Sequence, residues 1–233
     1  MPKEVYLPPI NAKPGEIASA LFQQSKPNHR HWEAIKLRDN QWETCPDIPS
    51  WVDVSQVTLD RFFTRPEVAA DCYSYLLDAM RADHAFIDNY CFVEPGAGNG
   101  AFYDLLPEDR RIGIDLIPSN PDYTISDYLS WSPKMNGRRY AVIGNPPFGY
   151  RGWLALAFVN HSAAFADYIG MILPMSFQSD GKGSPLNRVI GAELVYQEPL
   201  PNDAFVMEKG QAVKLNALWQ VWRRGINNRQ PKD

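Results

Sequence analysis

Asn145, Pro146, Pro147 and Phe148 follow a short apolar run, Tyr140-Ala141-Val142-Ile143-Gly144, that reads as a buried strand. Two prolines at a strand exit fix φ and remove two N–H donors, and Pro146 pushes Asn145 toward an extended backbone. The exit is therefore stiff, with unpaired carbonyls beside a side-chain amide and an aromatic ring. Such a set accepts hydrogen bonds from a planar amine and stacks on the ring system that carries it. A proline-rich turn without chemistry has the same local sequence, so the rest of the chain has to decide. A second constellation is Phe92-Val93-Glu94-Pro95-Gly96-Ala97-Gly98-Asn99-Gly100, which leaves another apolar run. Its glycines allow a tight turn and a close backbone approach to a ligand. Gly96, Gly98 and Ala101 fit a dinucleotide fingerprint, with Asp115 at the next strand end to hold a ribose, so a nicotinamide-dependent oxidoreductase is one reading. Glu94 argues the other way: an acid there suits a ligand with an α-ammonium group and repels a pyrophosphate.

These residues need strands and turns to hold them. Pro66 to Met80 carries apolar residues at helical spacing (Val68, Ala69, Cys72, Leu76, Leu77, Met80). Phe86 to Val93 is a strand candidate, and a short helix is expected around Ala101 to Leu106 after the glycine turn. Arg111 to Leu116, Tyr123 to Ile125 and Tyr140 to Gly144 read as further strands, Gly152 to Phe165 as a helix, and Tyr168 to Leu173 as a fifth strand. Leu194 to Gln197 and Val213 to Trp222 form a closing pair without room for a helix between them, hence antiparallel. Alternating strands and helices imply an α/β domain with a mostly parallel sheet, an antiparallel C-terminal strand and helices on both faces. This domain is expected over 56–225. Residues 1–55 are rich in Pro, Asn, Lys and Gln and read as an irregular arm that packs on the core through Trp32, Trp42 and Trp51; 226–233 reads as a tail.

Asn-Pro-Pro-Phe at 145–148 resembles the catalytic motif of the S-adenosylmethionine-dependent amino-methyltransferases. The segment Phe62-Phe63-Thr64-Arg65-Pro66 resembles the motif these enzymes place upstream of the glycine turn, with Arg65 intervening in the commoner Thr-Pro. Asp127-Tyr128-Leu129 resembles their Asp-aromatic-Leu. Ile172 to Phe177 and Leu200 to Phe205 look like later segments of bacterial and phage N6-adenine DNA methyltransferases of the small type that lacks a separate recognition domain, in which the neighbourhood of Phe205 helps wall the base pocket. The resemblance spans about 60–224 and implies a Rossmann-like class I methyltransferase fold with S-adenosyl-L-methionine as cofactor. It implies that Thr64 and Pro66 line the methionine pocket and that Glu94, Gly96, Ala97, Gly98 and Gly100 form the cofactor turn. It places Asp115, Leu116 and Asn145 at the cofactor, and Asp127, Tyr128 and Leu129 at the cofactor's adenine edge. Asn145 and the Pro146 carbonyl would accept from the amine, Pro147 would stiffen the exit, and Phe148 would stack on the base. Methyl transfer of this kind rests on positioning and desolvation; a duplex base must first leave its stack. From the residues alone, Thr64 also reads as a helix N-cap, with Glu67 completing a capping box.

The resemblance implies adenine N6 in DNA as the acceptor. An adenine or guanine amino group in RNA is the alternative; a nicotinamide enzyme and a non-catalytic cofactor-binding relative are the others. The net charge of −4 is awkward for a nucleic-acid partner, because affinity for phosphates comes mainly from Lys and Arg. Arg138, Arg139, Arg151, Lys182, Arg188, Lys209, Lys214, Arg223 and Arg224 are candidates for a local basic surface. Recognition would fall to the 1–55 arm, to the loop Gln178 to Pro185, or to a recognition partner or homodimer. The three cysteines have no Cys-x-x-Cys spacing and the four histidines no ligand pattern, so no metal is expected. No apolar run approaches the roughly 18 residues of a membrane span, and residues 1–4 lack a signal-peptide core; the expected compartment is the cytoplasm.

Overall fold

The computed structural model describes residues 62–227 apart from positions 118, 135–136, 150–151, 182–183 and 208–209, together with a short antiparallel pair, β1 (Leu37–Arg38) and β2 (Gln41–Trp42). The rest of the expected arm, with Trp32 and Trp51, the end of the tail, and Arg151, Lys182 and Lys209 lie outside the described residues.

Seven strands form the main sheet in the order β6-β5-β4-β7-β8-β12-β9. They are β4 (Tyr90–Pro95), β5 (Arg111–Asp115), β6 (Thr124–Ile125), β7 (Arg139–Gly144), β8 (Tyr168–Pro174), β9 (Ala192–Pro199) and β12 (Ala217–Arg224). All pairings from β6 to β8 are parallel, while β12 runs antiparallel between β8 and β9. Every side chain of β4 is buried, as expected of a parallel strand covered on both faces. The side chains alternate between two cores with period two. Cys91, Val93, Tyr140, Val142, Ile169, Met171, Leu218 and Trp222 enter one core; Tyr90, Phe92, Ala141, Ile143, Tyr168, Ile172, Trp219 and Val221 enter the other.

Helix α1 (Pro66–Ala82) closes the second core with Val68, Ala69, Cys72, Leu76 and Met80; Pro66 starts it at a position where its missing N–H costs nothing. Helix α2 (Trp153–Ala163) closes the first with Leu154, Ala155, Phe158 and Val159. Gly170 is required by close approach: a Cβ there would stand 2.5 Å from the Trp219 ring. No described helix is long and apolar enough to cross a membrane.

Three sequence expectations shift. The strand expected from Phe86 starts only at Tyr90, after a 3₁₀ turn at Ile87–Asn89. The helix expected over 101–106 is a single 3₁₀ turn, Tyr103–Leu105, because Pro107 forces Leu106 into the extended conformation it adopts (φ −83, ψ 151). The strand expected from Val213 begins at Ala217, since Ala212–Val213 belongs to a second small sheet. That sheet has the order β11 (Ala212–Val213), β10 (Phe205–Val206), β3 (Phe63–Thr64).

Candidate cofactor and amine site

The parallel strands β4, β5, β6 and β7 deliver their C-terminal ends to one edge of the sheet, where a cavity of about 480 Å³ opens. Eleven of the residues singled out above line it: Thr64, Glu94, Gly96, Ala97, Gly98, Asp115, Leu116, Asp127, Tyr128, Asn145 and Pro147. The glycine turn takes positive φ at Gly96 (62°) and Gly98 (51°), a region glycine enters without penalty. A Cβ on Gly96 would stand 3.8 Å from Pro147 Cδ, and one on Gly98 would stand 3.4 Å from the Phe63 ring. The turn therefore lies against both the Asn-Pro-Pro-Phe exit and the upstream aromatic segment.

Three carboxylates shape the turns around this cavity. Glu94, 3% exposed, accepts from the Tyr103 N–H at 2.6 Å. Burial pushes its carboxyl well above the usual carboxylate range, opposed by backbone donors of Tyr103 and Phe102. Asp115 Oδ2 accepts from Gly98 N at 2.8 Å and Oδ1 from Ile117 N at 2.9 Å, so it ties two successive strand exits together. Asp127 caps the turn Tyr128–Ser130, accepting from Leu129 N (3.0 Å) and the Ser130 hydroxyl (3.1 Å). Burial raises its carboxyl too, and those two donors counteract the rise. Ser119 Oγ donates to the Gly98 carbonyl. The described lining thus holds three acids and no lysine, arginine or histidine.

Asn145 leaves β7 half-buried. Its Nδ2 donates to the Phe62 carbonyl at 3.2 Å, which fixes the amide plane and turns Oδ1 into the acceptor available for a ligand. The stiff exit is real: Pro146 is buried and Pro147 is at the cavity wall.

Five of the expected residues do not line the cavity. Pro66 is exposed at the first position of α1. Gly100 is buried under the Tyr123 hydroxyl, which a Cβ would meet at 2.6 Å, so it serves the turn and not the ligand. Leu129 sits in the hydrophobic core. Pro146 stands behind Pro147, and the Phe148 ring, half-buried, packs between both cores. The capping box at Thr64 and Glu67 is absent: Arg65 is the N-cap residue and makes no side-chain cap. Phe205 itself is a fully buried strand residue of β10, and its neighbours Val206 and Met207 line the cavity.

Sequence reasoning pointed to the Phe62–Pro66 segment and the neighbourhood of Phe205 separately and missed that they form one roof, in which Phe62, Phe63, Val206, Met207 and Gly210 line the cavity. Its strands are two residues long, too short for any periodicity. Phe158 of α2 and Ile117 were also missed; Phe158 carried only a helical core pattern. The expected basic surface fares differently. Arg139 pairs with Asp167 (2.7 Å), Arg224 with Asp167 (3.2 Å), and Arg223 with Asp83 (2.6 Å) and Glu193 (2.5 Å). Asp167 precedes β8, Arg139 starts β7, and Arg223 pairs with Tyr168 in the sheet, so this cluster lies at the edge opposite the cavity. Among the described residues no group of His, Cys, Asp and Glu is placed to hold a metal ion.

No protein-family model matches the sequence, and no curated protein matches it. Solved structures do. A candidate RNA methyltransferase of Pyrococcus horikoshii covers 73% of this chain and 88% of its own at 15% identity, with a TM-score of 0.52. Magnesium protoporphyrin IX methyltransferase of Synechocystis PCC 6803, solved with SAM bound, covers 69% of this chain and 79% of its own at 13% identity and a TM-score of 0.46. The M protein of the type I restriction enzyme EcoKI covers 76% of this chain and 47% of its own at 13% identity and a TM-score of 0.44. The first likeness and the strand order establish the fold as the Rossmann-like α/β fold of class I methyltransferases.

Proposed function

We propose that the chain transfers a methyl group from S-adenosyl-L-methionine to an exocyclic amine, with adenine N6 in DNA as the acceptor. The observation that carries this reading is Asn145. Its amide is oriented by the Phe62 carbonyl so that Oδ1 is presented at a cavity wall shared with the glycine turn. The bound cofactor would supply an electrophilic methyl group on a sulfonium centre. The residues of the chain do the rest. Asn145 Oδ1 accepts an N–H of the amine and stabilises positive charge as it develops there. Pro147 keeps that acceptor against the glycine turn.

The lining fits a cationic nucleoside ligand and not a dinucleotide. The described lining has no lysine or arginine and so gives a diphosphate no counter-charge, whereas an α-ammonium and a sulfonium need none. A diphosphate site also needs a helix N-terminus behind the glycines, and here only the 3₁₀ turn Tyr103–Leu105 follows. The antiparallel β12 departs likewise from the all-parallel dinucleotide order. Tyr128 and Phe158 offer apolar faces for a purine, their rings 5.0 Å apart. The roof residues Phe63 and Val206 add apolar side chains to the cavity wall.

The test is methyl transfer from labelled cofactor to DNA and, in parallel, to total RNA, followed by nuclease digestion to identify the base. Label in N6-methyladenine of DNA is the expected result. Label in RNA alone transfers the assignment to the RNA reading that the same motif serves. Asn145→Ala should lower the rate by about 10²–10³ while leaving S-adenosylhomocysteine binding intact by calorimetry; a wild-type rate in this variant removes Asn145 from catalysis. Binding of NAD without S-adenosylhomocysteine would sink the methyltransferase reading.

A further inference from the structure

Arg65 breaks a local rule. It is the N-cap residue of α1, yet it makes no side-chain cap and places a cation at the positive end of the helix dipole. Its guanidinium goes elsewhere. Nε donates to the Asp203 carbonyl at 2.5 Å, and the Arg65 backbone N–H donates to the Ala204 carbonyl at 2.9 Å. Glu67, 3.9 Å from Nη1, partly balances the charge. One residue thus grips two successive carbonyls of the segment that leads into β10.

β10, into which that segment leads, forms the roof of the cavity with Val206 and the following Met207. Its sheet pairs Phe205 with Thr64, Val206 with Phe63, and β10 with β11. Strands of two residues are weak on their own, so their register depends on what holds their ends. One end is fixed by Asn145, whose Nδ2 reaches the Phe62 carbonyl; the other is fixed by Arg65. Between these anchors lie Phe63, Thr64, Val206 and Met207, all of which line the cavity.

We infer that Arg65 is a positioning residue for cofactor retention: the bond from its guanidinium to the Asp203 carbonyl, beside the backbone bond to Ala204, seats the roof over the bound cofactor. Lost grip lets the roof open and the ligand leave faster, with the amine-holding geometry at Asn145 little altered once ligand is bound. This rests on the cofactor reading above, and the experiment separates the two.

S-adenosylhomocysteine binding is measured by calorimetry for the wild type, Arg65→Met, Arg65→Lys and the control Arg81→Met, whose exposed pair with Asp78 lies on the same helix away from the roof. Arg65→Met should raise Kd by about tenfold or more, the size of a lost charge-assisted hydrogen bond. In turnover it should raise the cofactor KM far more than it changes kcat. Arg65→Lys, which keeps one donor, should recover most of the affinity, and Arg81→Met should match the wild type. An unchanged Kd in Arg65→Met, or a melting temperature lowered without ligand while the folded fraction binds as tightly as wild type, overturns the inference. If Arg65→Met does not fold, Arg65→Gln, which removes the charge and keeps a polar side chain, decides: a faster ligand release than wild type supports it and an equal release overturns it. Failure of the wild type to bind S-adenosylhomocysteine at all is a failure of the cofactor reading instead.

Discussion

The two flanks of the sheet are held by different means. On the β7-β8-β12-β9 side the strands are long, eight residues each in β9 and β12, and β7, β8 and β12 are largely buried under α1 and α2 while β9 forms a half-exposed edge. On the β4-β5-β6 side they shorten to five residues in β5 and two in β6, and their connections carry single 3₁₀ turns in place of helices. That side has only a small core of its own, Ala97, Tyr103 and Tyr123, with the two tyrosine rings edge to face at 4.9 Å and Arg111 over Tyr103 at 4.2 Å. What fixes its turns is the set of carboxylates Glu94, Asp115 and Asp127, each accepting from backbone N–H groups. Packing builds one flank; charged hydrogen bonds build the other, and the ligand site lies on the second. A thin flank keeps backbone near the ligand but makes binding geometry and local stability depend on the same few acids.

The contrast can be broken most severely from the packed side. Trp222→Ala empties a fully buried site between β8 and β9 and should cost about 3–5 kcal/mol of unfolding free energy in urea, while the folded fraction binds S-adenosylhomocysteine as tightly as before. Weaker binding in proportion to the lost stability would mean that the flanks are not separable. Next is Glu94→Ala, which orphans the Tyr103 and Phe102 N–H groups and should cost about 1–3 kcal/mol with a loss of cofactor affinity as well. Glu94→Gln keeps an acceptor and sharpens the point through pH. The buried carboxyl holds its proton more tightly in the folded chain than in the unfolded one. Wild-type stability is therefore favoured below the ordinary carboxylate value of 4.5 and falls as pH rises through the raised value, by at most about 1.4 kcal/mol per pH unit. Urea titrations across that window should show a flatter profile for Glu94→Gln. Asp127→Ala removes the cap of the Tyr128–Ser130 turn and should cost about 1 kcal/mol, with weaker binding seen in the same calorimetry. Smallest is Arg139→Gln, which breaks the exposed pair with Asp167. It should cost less than about 1 kcal/mol and leave methyl transfer unchanged; a clear drop in activity would place nucleic acid on the edge opposite the cavity.

The packed flank was the more legible in the sequence. Tyr140 to Gly144, Tyr168 to Leu173 and the helix Pro66 to Met80 announce themselves by apolar runs or helical spacing, and the structure places them within two residues of the expected bounds. The thin flank was legible at its motifs and obscure between them. Glu94, the glycine turn, Asp115 and Asp127 converge as expected because each stands at a strand end. The helix after the glycine turn failed because Pro107 overrides the helical pattern before it. The pairing that makes the roof was invisible because β3 meets β10 across about 140 residues of sequence, through two rungs without hydrophobic period. Thr64 was placed correctly at the cavity, but its capping role passed to no side chain, since Arg65 turns toward Asp203.

The position of β12 also sets the order in which this sheet is completed. Among the described residues β9 pairs only with β12, and β12 is inserted between β9 and β8. A nascent chain that has emerged as far as Leu215 holds β8 with one open edge and β9 with no partner, although every residue of the cavity is already synthesised. Closure waits for the last strand, whose contacts span from Tyr168 to Arg223. Before it arrives, the apolar edge of β8 is open to other chains, which makes the interval between synthesis of the site and arrival of β12 the period of greatest exposure to misassembly.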